Sequence, residues 1–238
     1  MLLQDAFTSF YESQVVVEFY QLLKRLGFSV YVAPFHPNGK PLHIKGFLKK
    51  FRNVAERNIK WLTHVGGSGI PIVGLDPSIV LTYRDEYIKI LGQNNLKIKV
   101  LLPQEFLMMN QDNCRKNAVK SMQNFEEYHL LGHCTEKTTA ESALELWKDV
   151  FDLFGLDLML ISSGCCGMAG TYGHETEHYE ESLGIYNLSW RKKIPDDPFY
   201  RHKILATGFS CRSQVMRFDG FRPLHPVQAL LREVKSFV

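Results

Sequence analysis

Apolar positions along the chain recur with two periods, one helical and one extended, and the two alternate. Val15, Val16, Phe19, Tyr20, Leu23 and Leu26 fall on one helical face, and Gly27 follows as a stop. Residues 28–32, Phe28-Ser29-Val30-Tyr31-Val32, then have the β-branched and aromatic character of a buried strand. Beyond the loop at 37–41 a second helix is marked by Phe47, Phe51, Val54, Ile59 and Leu62, and 70–74 reads as a short strand. Asp76-Pro77 opens another helix, because Asp caps free amides and Pro fits the first turn.

The order repeats in the second half. Residues 128–131 read as a strand that ends at His133-Cys134, and Thr138 or Thr139 is placed to cap a helix burying Ala143, Leu144, Trp147, Phe151 and Phe154. Gly155 ends that helix, 156–161 is the next strand, and a glycine-rich loop precedes a helix over about 175–190. A short strand at 203–206 leads to a helix beginning near Ser210. Asp76-Pro77-Ser78-Ile79 aligns with Gly208-Phe209-Ser210-Cys211, and the loop at Gly39-Lys40-Pro41 falls near the alignment of Cys165-Cys166-Gly167. The expected fold class is α/β: two tandem, similar, Rossmann-like modules with largely parallel sheets. The first module is placed at 1–100, a connector at 101–126 and the second module at 127–238.

Composition narrows the classes. The chain has 238 residues, 45% hydrophobic and 22% charged, which suits a globular core. Net charge is +3 and the basic clusters are short, so no nucleic-acid partner is expected. No apolar run reaches the roughly 18–20 residues of a membrane helix. The start, Met1-Leu2-Leu3-Gln4-Asp5, lacks the pattern of a signal peptide. A cytoplasmic, reducing compartment is the expectation, and there cysteines serve as ligands or reactive thiols more often than as staples.

Four of the five cysteines follow predicted strands. Cys134 closes one, Cys165 and Cys166 open the glycine-rich loop after another, and Cys211 lies in the turn after a third. In a parallel sheet these positions share the carboxyl edge, where open α/β sheets place their sites. Four converging thiolates suit an iron–sulfur cluster or zinc, and Gly164, Gly167 and Gly170 let the backbone wrap closely around a ligand. Thiol–disulfide exchange at the vicinal pair is a third chemistry, although nothing in the sequence marks either thiol as activated. Cys114, in a polar stretch, stands apart.

Gly164-Cys165-Cys166-Gly167, with His133-Cys134 before it and Ser210-Cys211-Arg212-Ser213-Gln214-Val215 after it, resembles the cysteine-rich CCG domain. That family includes the heterodisulfide reductase B subunit and the iron–sulfur subunits of glycerol-3-phosphate, glycolate and lactate dehydrogenases. Gln4-Asp5-Ala6-Phe7-Thr8-Ser9, Pro37-Asn38-Gly39-Lys40-Pro41, Gly74-Leu75-Asp76-Pro77-Ser78, Gly132-His133-Cys134-Thr135-Glu136 and Gly170-Thr171-Tyr172-Gly173-His174 are similar to the C-terminal part of large bacterial FAD-linked oxidases. Those oxidases resemble D-2-hydroxyglutarate and D-lactate dehydrogenases. The resemblance implies a cluster held by Cys134, Cys165, Cys166 and Cys211, of [4Fe–4S] type or replaced by zinc. It also implies flavin and ferredoxin-like domains of the same enzyme as partners, with FAD bound outside this chain. The chain alone is then not catalytic, and neither the hydroxy acid nor the electron acceptor is legible. Two departures stand out. Gly208 replaces the first cysteine of the family's Cys-x-x-Cys, which puts a five-cysteine, non-cubane cluster in doubt. Asp76 and Ile79 occupy the equivalent positions of the first half, which is therefore read as structural or as an interface.

Among the neighbours, His133 and His174 are candidates to ligate a metal or donate to sulfur. Glu136 and Lys137 read as a pair or as tuning the site electrostatically, Arg212 as a counter-charge to the thiolates, and Lys40 and His43 as solvent-exposed or as facing a partner or an anionic substrate. Phe47, Phe51 and Trp61 read as core packing.

Overall fold

The computed structural model describes residues 1–92, 99–118, 127–232 and 234. Its named strands pair in parallel, as the alternating pattern predicts. In the first half β1 (Ile72–Val73) pairs with β2 (Val100–Leu101). On the other side of β1, Val73 bridges Leu2, which in turn bridges Val32. In the second half β3 (Tyr128–Leu131) lies between β4 (Leu158–Leu160) and β5 (Ile204–Ala206), and Leu205 bridges Leu224. Across either sheet, the extended segments come in the chain order second, first, third, fourth. Parallel neighbours need crossovers, and helices supply them.

Those helices are α1 (Ala6–Phe10), α2 (Ser13–Arg25), α3 (Lys40–Ile44), α4 (Leu48–Gly66), α5 (Pro77–Arg84) and α6 (Glu86–Leu91) before β2. After it come α7 (Pro103–Met109), α8 (Gln111–Asn117), α9 (Cys134–Thr139), α10 (Glu141–Leu153), α11 (Tyr179–Ser189), α12 (Phe209–Asp219) and α13 (Pro226–Arg232). One core serves both sheets. Phe19, Leu22 and Leu26 around α2 share it with Trp147 and Phe151 of α10, Leu205 of β5 and Val227 of α13. Each such buried side chain contributes about 1.5–3 kcal/mol, so the halves stabilise one another.

Several expectations change. Within 28–32 only Val32 pairs; Tyr31 is exposed, and Phe28 leaves the strand line to pack on Phe106 at 5.1 Å. Neither Thr138 nor Thr139 caps α10, because both sit inside α9 and turn their hydroxyls back to the Cys134 and Thr135 carbonyls. The span read as a connector contains Leu101 of β2 and both α7 and α8, and α7 packs on α10; its remainder, 119–126, lies outside the described residues. Phe47 is exposed whereas Phe51 is fully buried, since α4 begins only at Leu48 and leaves Phe47 on the rim. Asp76 caps α5 as expected, accepting the Ser78 N–H at 3.0 Å.

Candidate functional site

Cys134, Cys165, Cys166 and Cys211 come from the carboxyl ends of three adjacent parallel strands. Cys134 is the first residue of α9 after β3, Cys165 and Cys166 follow β4, and Cys211 lies in the first turn of α12 after β5. The three strands are neighbours, so their loops meet, and the structure brings the four residues together. Cys165 makes hydrogen-bond contact with both Cys134 and Cys166, and Cys166 also contacts Cys211. The Cys134 thiol first, then that of Cys166, holds Cys165 far below the ordinary thiol range. Contact with Cys165 pushes Cys134 and Cys166 up, and burial adds to both. Among the three, Cys165 is thus the thiol whose neighbours favour the thiolate form.

Peptide amides reinforce it. The Gly167 N–H donates to the Cys165 sulfur at 3.4 Å, and that of Ala169 points to the same atom. Met168 offers its N–H to Cys166, whereas the Thr135 N–H goes to His133 Nδ1. The loop reaches this shape through left-handed residues: Gly167 at φ +86°, Ala169 at +44° and Gly170 at +76°. Alternating handedness of this kind makes a concave nest of N–H groups that favours anions. From behind, Gln214 of α12 donates to the Cys166 carbonyl at 3.0 Å and to Ser182 Oγ at 2.8 Å, and Ser182 Oγ donates to the Gly167 carbonyl at 2.9 Å. At Gly167 an added Cβ would lie 2.3 Å from the Ser182 carbonyl oxygen. Gly167→Ala is thus expected to combine backbone strain with a backbone clash, costing about 1–3 kcal/mol. A urea titration against wild type reads it, and an unchanged midpoint would show the loop to be pliable.

This donor set fits a thiophilic centre. Four sulfurs and three peptide donors suit iron–sulfur or zinc, whose thiolate ligands are stabilised by N–H groups. Among the described residues no group of three or more His, Cys, Asp or Glu side chains is already arranged around one point as metal ligands.

The surrounding residues turn mostly to local partners. His133 is buried and caps α9: its Nδ1 accepts the Thr135 N–H at 3.2 Å, and its Nε2 meets Ser210 Oγ at 3.2 Å. Burial lowers its pKa, consistent with a neutral ring whose two nitrogens are spoken for. His174 is exposed, and its pKa is lowered first by partial burial and then by the Arg217 charge. Glu136 and Lys137 are not a pair. Lys137 donates to the Ser163 and Gly164 carbonyls, whereas Glu136 is fully buried and accepts from Gln104 at 2.7 Å and Thr207 at 2.6 Å. Arg212 turns from the sulfurs to Glu12 and to the Ala206 and Thr207 carbonyls, both at 2.9 Å. Lys40 is only partly exposed because it pairs with Glu86, and His43 packs on Phe51 at 4.9 Å. Cys114 lies in the shared core, its thiol near the Leu107 carbonyl, and burial pushes its pKa to about 11.

Burial raises the pKa of Glu136 from 4.5 to about 7. The folded state therefore holds this proton more tightly than the unfolded one. The stability it contributes is complete below pH 4.5 and is lost as pH rises through 7, on the order of 3 kcal/mol in all. His133 and His225, both lowered by burial, act in the opposite sense as pH falls below 6.5. The difference between wild type and Glu136→Gln isolates the carboxyl. Denaturant melts from pH 5 to 8.5 are expected to show the variant gaining on wild type as pH rises, and parallel curves would contradict the assignment.

Sequence reasoning missed the supporting roles of Gln214, Ser182 and Thr207. Gln214, three residues beyond Cys211, lies on the same helical face, and that spacing is the one signal available for it.

No protein-family model matches the chain. It is 46% identical over 235 residues to the D-2-hydroxyglutarate dehydrogenase of Escherichia coli K12, a match covering 99% of this chain and 22% of that protein. The enzyme of the same name from Haemophilus influenzae is 42% identical over 240 residues, covering 98% of this chain and 23% of its own length. One subunit of the anaerobic glycerol-3-phosphate dehydrogenase of E. coli K12 is 28% identical over 195 residues, covering 81% of this chain and 48% of its own length. These relatives bear out the resemblance read from the motifs. The chain spans less than a quarter of the length of the D-2-hydroxyglutarate dehydrogenases it matches. Among solved structures, an aspartate racemase homologue from Pyrococcus horikoshii covers 97% of this chain and 95% of its own at TM-score 0.32 and 12% identity, too loose a likeness to bear on function.

Proposed function

We propose that this chain is the electron-transfer, C-terminal part of a FAD-linked oxidoreductase acting on a D-2-hydroxy acid, and that Cys134, Cys165, Cys166 and Cys211 hold its iron–sulfur centre. The observation that carries the reading is the meeting of four thiols at the ends of β3, β4 and β5, with peptide N–H groups aimed at their sulfurs. Such a centre, of [4Fe–4S] type, supplies one-electron steps between flavin and an acceptor. The chain's own residues supply the rest: Gln214 and Ser182 fix the loop, and the N–H groups of Gly167 and Ala169 offset thiolate charge, a means of tuning potential.

Flavin and ferredoxin-like domains of the same enzyme are the partners in this reading, with FAD bound outside the chain. The cysteine-bearing module is 127–238, and 1–100 is its ligand-free counterpart joined by 101–126. The enzyme is placed in the cytoplasm; among the described residues no helix is long and apolar enough to cross a membrane. Anaerobic purification with iron, sulfide and zinc analysis tests the proposal. Iron and sulfide with a broad band near roughly 400 nm is the expected result. Stoichiometric zinc without iron would make this a structural docking module instead.

One observation favours a second reading. Cys165 is a partly exposed thiol held low by its neighbours, beside a vicinal partner, as thiol–disulfide exchange requires. Exchange with a small disulfide that is unchanged in Cys165→Ser/Cys166→Ser would dispose of it.

A further inference from the structure

Helix α12 carries Cys211, yet its own N-cap is Gly208, which has no side chain to offer its first amides. Nor is there room for one: a Cβ at 208 would lie 2.4 Å from Cδ2 of the buried His133 ring. The cap comes from the other half of the molecule. Asp76 Oδ2 accepts the Phe209 N–H at 2.8 Å, while Oδ1 accepts the Ser78 N–H at 3.0 Å and the Ser78 hydroxyl at 2.5 Å. Asp76 is 2% exposed, so its carboxylate is held by these bonds with little help from water. It stands at the position of the first half that aligns with Gly208. One carboxylate therefore caps two helices, α5 in its own half and α12 in the cysteine-bearing half.

We propose that Asp76 is a positioning residue for the cysteine centre: it fixes the start of α12 and thereby the place of the Cys211 sulfur. The cysteine-free half then has a defined task at the site, although it supplies no ligand. Neighbouring contacts tie the same point together. Phe7 stacks on Phe209 at 4.8 Å with ring planes 8° apart, and α5 packs against α9, which begins at Cys134. Movement at Asp76 is thus transmitted to two of the three strand-end loops. The inference rests on the proposed cysteine centre only for its consequence, since the cap itself is made by the chain's own residues.

The experiment compares the whole chain with Asp76→Asn, Asp76→Ser and Ser78→Ala. Asn loses the charge and has only one acceptor oxygen for two helices. Ser at 76 still caps α5 but is too short to reach Phe209. Ser78→Ala removes a partner of Asp76 without touching α12, and serves as the control. Two readouts are taken: the rate of alkylation of Cys211 in metal-free protein, followed by mass spectrometry, and the rate at which a ferrous chelator bleaches the loaded protein. Asp76→Ser is expected to raise both by about tenfold, the size of a lost cap, with Asp76→Asn between it and wild type and Ser78→Ala unchanged. The proposal is overturned if Asp76→Ser and Ser78→Ala match each other in both rates. If wild type takes up no iron, the functional reading fails by itself, and the alkylation rates still decide the role of Asp76. If Asp76→Asn does not fold, Asp76→Ser carries the comparison.

Discussion

Serine at both Cys165 and Cys166 is expected to reduce iron and sulfide to background and to erase the visible band. Cys165 is the hub of the thiol group: it contacts Cys134 and Cys166, receives the Gly167 and Ala169 amides, and is held low by them. Replacing the pair removes two of four ligands, and a hydroxyl is a poor substitute for a thiolate toward iron. Cys114→Ser is the matched control, because that thiol is buried in the shared core and is no part of the group. It should lower stability and leave iron content unchanged. Circular dichroism of the metal-free proteins separates lost ligands from lost folding. Full iron in the double variant would mean that the ligands lie elsewhere.

The fold is legible where one signal dominates. Asp76-Pro77, Gly27 and Gly155 punctuate helices as capping chemistry requires, and alternating helices and strands lead directly to parallel sheets. It is less legible where tertiary contacts override local preference. Residues 28–32 have strand character, yet Tyr31 is exposed and only Val32 forms a bridge. The four cysteines can be grouped from sequence because each follows a strand, and parallel strands bring their carboxyl ends to one edge. Their neighbours cannot be sorted this way, since adjacency in sequence does not say where a side chain turns. Glu136 and Lys137 are consecutive and point to different partners, and Arg212 follows Cys211 but reaches Glu12, 200 positions away. Local pattern makes Asp76 the cap of one helix; its second bond crosses 133 positions and leaves no trace in that pattern.

Arg212→Leu is expected to be the most destabilising single change outside the cysteines. Its guanidinium is buried with the Glu12 carboxylate, and it also satisfies the Ala206 and Thr207 carbonyls at the end of β5. Removing it leaves Glu12 in the interior, with the half-exposed Arg222 as its counter-charge among the described residues. Breaking one side of such a pair costs about 3–5 kcal/mol, because the stranded charge keeps its desolvation penalty. In a chain of this size that corresponds to a fall of about 10 °C in Tm. Glu12→Met/Arg212→Leu removes both charges and should recover much of the loss, since two apolar groups carry no such penalty. The two carbonyls remain without donors in the double variant, so recovery stays incomplete. They precede Gly208, where Asp76 takes hold of α12, so a residual gap should also appear as faster alkylation of Cys211. A single variant as stable as wild type would mean that water replaces the guanidinium, and that the Glu12 pair does not anchor β5 to α2.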